Sequence, residues 1–135
     1  MTLTEFLLAR IAEDEDEAKG ATLGQWERDS GWSVTAPPPE GWSGPYVIVD
    51  TKVRNDAWFI ARFNPTRVLA ECEAKRRIVE RATGGDGCGG HPGPYMPHGD
   101  YGTSYCFRAD EDNWDLRDLA MPYTNHPDYL PEWKP

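Results

Sequence analysis

Cys88, His91, His98 and Cys106 supply two thiols and two imidazoles, the donor set that tetrahedral zinc accepts. The order is Cys-x2-His followed by His-x7-Cys, so only the first pair has the tight spacing of recognised sites. Bound zinc would offset the ordering entropy of a glycine-rich segment. The competing reading is a polar loop whose cysteines and histidines share no role. Metal content of the purified protein, measured with and without chelator, separates the two. Ser104, His98 and Asp100 are the residue types of a hydrolase triad, with the loop as its lid, but a triad needs rigid elements to hold its geometry. His126 and Asp128 resemble an acid–base pair. The structural alternative is that Asn125 caps one helical turn while Tyr129 and Trp133 pack. Cys72 falls on an apolar helical stripe and reads as an inert core thiol. The chain contains no phosphate loop, dinucleotide fingerprint or His-Glu-x-x-His helix.

Composition narrows the function classes. The 14 basic and 23 acidic residues give a net charge of −9, which repels phosphate backbones and disfavours direct nucleic-acid binding. A basic target surface, or a protein that itself binds DNA, is the better-matched partner, and the plainer and commoner reading of the charge is solubility. An odd cysteine count of 3 argues against a disulfide framework. Thr2, Thr4 and Glu5 break any basic leader region, and no apolar run reaches the roughly 20 residues of a membrane span. The expected location is the cytoplasm of a bacterial host. At 135 residues the chain is expected to form one domain, 1–135, able to bury a core without a staple.

The elements that must position these residues are legible in part. Thr2 and Glu5 have capping-box spacing, and Leu3, Phe6, Leu7, Arg10 and Ile11 follow helical spacing with an apolar stripe. The run 13–17, all carboxylates, opposes the dipole of that helix, offset by Arg10–Asp14 and Glu15–Lys19 pairing. Its plain reading is a solvated face, and its sharper one a docking patch. Gly20 is a natural stop. Residues 25–29 and 32–34 suggest two strands around Ser30-Gly31, and Tyr46–Val49 is the best strand. A helix over 55–63 is expected, with Asp56 as a candidate cap and Ala57, Trp58, Ile60 and Ala61 inward. Asn64-Pro65 starts a helix running to Ala82, with Val68, Leu69, Cys72, Ile78 and Val79 as its stripe. Lys75-Arg76-Arg77 lies late in that helix and suits its dipole, a structural role. Residues 84–104 hold eight glycines and three prolines, which predicts a long loop over 84–105. A last helix is expected over 110–121, capped by Asp112 or Asn113 and ended by Pro122.

The tail Leu116-Arg-x-Leu-Ala-Met-Pro-Tyr-x-x-His-Pro-Asp-Tyr-x-x-Glu-Trp133 resembles the C-terminus of a family of small uncharacterised proteins from actinobacteria and their phages, a domain-of-unknown-function family. Phe6-Leu-x-Ala-Arg10, Ala21-Thr-x-Gly-x-Trp26, Phe59-Ile-Ala-Arg62 and the stretches Asn64–Glu71 and Glu73–Ile78 agree with it. The central block is similar to a module recurring in phage accessory proteins. Members often carry a cysteine just before the Leu-Arg of the final helix, where Asn113 stands here. Cys106 would have to take its place as a metal ligand. The resemblance brings no catalytic residue with it.

The expected fold is α+β: a small three-stranded antiparallel meander packed against two or three helices, with a long Gly/Pro-rich loop and a docked C-terminal segment. The expected function is non-enzymatic, a small acidic accessory protein that binds another protein through its acidic first helix and the tryptophans near 37–42. The rivals are a zinc-stabilised binding module, a small hydrolase and a DNA-mimic inhibitor.

Overall fold

The computed structural model describes residues 1–83 and 113–135. The fold is α+β. Helix α1 (Leu3–Gly20) is followed by strands β1 (Glu27–Arg28), β2 (Ser33–Ala36) and β3 (Tyr46–Asp50), then helices α2 (Arg54–Arg62), α3 (Pro65–Thr83) and α4 (Trp114–Ala120). Two single 3-10 turns, Met121–Tyr123 and Pro131–Trp133, complete the chain. The described residues fall into two compact units, one from Met1–Ile11 with Ala74–Pro135 and one from Ala12–Glu73.

In the first unit, α1 starts with a reciprocal capping box. The Glu5 N–H donates to Thr2 Oγ1 at 3.1 Å and the Thr2 N–H donates to Glu5 Oε2 at 2.8 Å. Leu3, Phe6, Leu7 and Ile11 are fully or almost fully buried, as are Val79 of α3 and Leu116 and Ala120 of α4. Asn113 caps α4, its side-chain oxygen accepting from the N–H groups of Asp115 and Leu116. The candidate cap Asp112 lies outside the described residues.

The second unit is built on the meander, ordered β1-β2-β3 and antiparallel throughout. Val34 faces Val49 and Thr35 faces Val47, so Ile48 is an extra residue that bulges β3. Val34 and Ala36 of the middle strand are buried on one face. Helix α2 packs on β1 and β2, and fully buried Ala57 is small enough to let helix and sheet approach closely. Its neighbour Trp58, expected to point inward, is 52% exposed. Successive helical residues lie about 100° apart, so a stripe centred on Ala57 turns Trp58 out. The Arg28 guanidinium covers it, 4.1 Å from the ring centroid. The cap of α2 also differs from expectation. Val53 holds that position without a side-chain bond, and Asp56 lies in the first turn.

Helix α3 starts as its residues dictate. Asn64 Oδ1 accepts from the Arg67 N–H at 3.1 Å and Asn64 Nδ2 donates to the Ala61 carbonyl at 3.0 Å. Asn64→Ala is expected to cost about 1 kcal/mol in denaturant unfolding, with Asn64→Asp retaining most of it. An alanine variant as stable as wild type would show that the cap contributes nothing. Toward the far end of α3, Lys75 Nζ donates to Tyr123 Oη at 3.1 Å and sits 5.4 Å from that ring's centroid. Of the basic cluster, Lys75 thus has a partner within the protein.

Candidate functional site

In the unit that contains both chain ends, Arg10 takes a stripe position on α1 and is only 7% exposed. Its Nη1 lies 2.8 Å from His126 Nδ1, also contacts Nε2 of the same ring, and lies 3.8 Å from Asp128 Oδ2. The Phe6 ring centroid is 5.3 Å from the guanidinium carbon. A tight turn presents His126. Its N–H donates to the Tyr123 carbonyl at 2.9 Å and its carbonyl accepts from the Tyr129 N–H at 3.0 Å.

The Asp128 N–H donates to His126 Nδ1 at 3.1 Å, so that nitrogen is already engaged as an acceptor. Nδ1 and Asp128 Oδ2 are 3.9 Å apart, beyond hydrogen-bond reach. The imidazole and the carboxylate are therefore not hydrogen-bonded to each other through these atoms. The side chain that caps the turn is His126, not the expected Asn125. This cluster is a latch between α1 and the tail segment, built around a buried cation. Phe6 forms its apolar floor, with Trp133 at 5.0 Å and Tyr129 at 6.0 Å between ring centroids.

The sheet unit carries the exposed aromatics. Asp29 Oδ1 accepts from the N–H groups of Gly31 at 2.8 Å and Ser33 at 2.9 Å, closing the turn between β1 and β2. The turn puts Trp32 at φ 66°, the left-handed region. The Trp32 carbonyl is held by the Thr51 N–H at 3.3 Å and hydroxyl at 2.7 Å. Trp42 is exposed too, braced edge-on by Tyr46 at 5.3 Å. Phe59 of α2 and Phe63, just past its end, are exposed with their ring centroids 4.6 Å apart.

Sequence reasoning placed the tryptophans near 37–42 at a surface and did not single out Arg10 or Trp32. A charged residue at a stripe position, beside Phe6, Leu7 and Ile11, was the available signal for Arg10. No signal marks Trp32, because Gly31 beside it is the residue that ordinarily takes a left-handed conformation. The candidate ligands Cys88, His91, His98 and Cys106, and the Ser104–His98–Asp100 set, lie outside the described residues. Among the described residues no group of three or more His, Cys, Asp or Glu is placed to hold a metal ion. No described helix is long and apolar enough to cross a membrane.

The family described as "Family of unknown function (DUF6221)" matches residues 1–135. The chain belongs to this family. No curated protein and no solved structure matches it. The reading of this DUF6221 member therefore rests on its own geometry, a latch around Arg10 in one unit and exposed aromatics in the other.

Proposed function

We propose that this protein is a small acidic accessory protein of phage or prophage origin, acting in the cytoplasm of an actinobacterial cell. On this reading it binds a basic protein and performs no catalysis. Trp32 carries the proposal. It is 45% exposed, so burial does not account for a tryptophan there. Its left-handed backbone costs about 1 kcal/mol or more for a residue with a bulky side chain. Strain held at an exposed aromatic favours a residue kept for what it touches. Tryptophan is also among the commonest interface anchors, since it offers a large contact area with few rotors. The net charge of −9 steers association toward a positively charged surface.

The test is capture of basic proteins from an actinobacterial lysate on the tagged full chain, followed by affinity measurement with the purified partner. Trp32→Gly is expected to weaken binding on the order of 30-fold, the loss of an anchor worth about 2 kcal/mol. Its stability should stay within about 1 kcal/mol of wild type, because relief of the strain offsets the added chain entropy of glycine. Equal affinity of the glycine variant, or no partner captured near physiological salt, would overturn the reading.

A further inference from the structure

We infer that a cleft in the Ala12–Glu73 unit, beside the last turns of α1, receives a lysine side chain of the basic partner. The inference rests on the partner-binding reading above and names the group recognised. The cleft has room for about 200 Å³. Ala18, Ala21, Trp26, Phe63, Pro65 and Val68 line it together with half-buried Asp14 and exposed Glu17. Residues three apart on a helix share a face, so both carboxylates border the cleft from the same side of α1.

The walls are set in advance. Trp26 Nε1 donates to the Thr22 carbonyl at 2.9 Å, which fixes the indole. The Phe63 ring already carries one cation: the Arg67 guanidinium lies 4.2 Å from its centroid and pairs with Glu71 at 2.6 Å. An aromatic wall here is thus compatible with positive charge nearby.

Chemistry selects the occupant. A lining of apolar side chains and two carboxylates matches an aliphatic stem that ends in a cation. An anionic ligand would be repelled by the two carboxylates, and a purely apolar one would leave them without a role. Asp14 has another partner within the protein, so exposed Glu17 is the carboxylate that takes the ammonium. A single carboxylate suits the compact lysine head better than the two-pronged arginine fork.

The test is a titration of the labelled full chain, followed at the Trp26 indole N–H, with the resonance assigned through Trp26→Phe. The probes are blocked lysine, blocked Nε-acetyl-lysine and blocked norleucine. A saturable shift with lysine and none with the two uncharged probes is expected. Glu17→Gln should weaken the lysine response about fivefold, the upper range for an exposed ion pair. Ala21→Leu, which fills the cleft, should abolish it. Absence of a saturable lysine shift, an equal shift with norleucine, or a response unchanged in Glu17→Gln would each overturn the inference. The partner-binding reading fails separately, through Trp32→Gly. If the glycine variant loses the partner while Glu17→Gln retains full affinity, partner binding stands and the lysine site falls.

Discussion

Trp133→Ala is expected to destabilise the protein by about 3–5 kcal/mol and to lower its melting temperature on the order of 10 °C. Trp133 has no exposed surface, and it packs on Phe6 at 5.0 Å and edge-on to Tyr129 at 5.8 Å. Truncation removes a large aromatic area from burial and opens a cavity among residues fixed by α1. Phe6→Ala should cost a similar amount, since Phe6 meets Tyr123, His126, Tyr129 and Trp133. The two losses should not add, because each variant already forfeits the contact they share. Trp133→Phe is the gentler comparison. It keeps much of the area, and it also removes the buried indole N–H, which among the described residues has no hydrogen-bond partner. Chemical denaturation of wild type, Trp133→Ala, Phe6→Ala and the Phe6→Ala/Trp133→Ala double variant measures the cycle, with Trp133→Phe alongside. A Trp133→Ala protein that melts within a degree or two of wild type would refute the burial argument.

His126→Ala is expected to cost about 2–3 kcal/mol, more than an exposed turn residue should. The variant leaves the buried Arg10 cation without its imidazole and removes the edge contact to Phe6 at 5.7 Å. Asp128, at 3.8 Å and half exposed, and the remaining interactions of Arg10 compensate only in part. If the penalty comes from an undersatisfied charge, removing the charge should restore stability. Arg10→Met alone should lie within about 1 kcal/mol of wild type, and the Arg10→Met/His126→Ala double variant should be more stable than His126→Ala alone. A double variant equal to or worse than His126→Ala would mean that Arg10 contributes packing rather than a satisfied charge.

The helices were legible because their signals are local. Thr2 and Glu5, Asn64-Pro65 and Asn113 are each within four residues of the N–H groups they satisfy or initiate. The meander was legible through β-branched runs and turn residues, although the turn itself extends past Ser30-Gly31 to Trp32. Helix α2 shows where local pattern failed. Of the four residues expected to face inward, Ala57 is buried and Ile60 and Ala61 are half-buried, whereas Trp58 is turned out.

Residue order alone determines the class of this protein: acidic, α+β, with a capped first helix, a short antiparallel meander and an aromatic tail. Those properties follow from composition and from interactions spanning a few residues. Only the tertiary structure decided that Arg10 would meet His126, 116 positions away, and that Trp133 would stack on Phe6. It also decided that Trp32 would stand strained and exposed and that Glu17 would border an apolar cleft. The physical reason is that such pairings depend on loop closure and on competition for buried volume among distant segments. Helical or strand periodicity records which face a residue occupies and carries no information about what will cover that face.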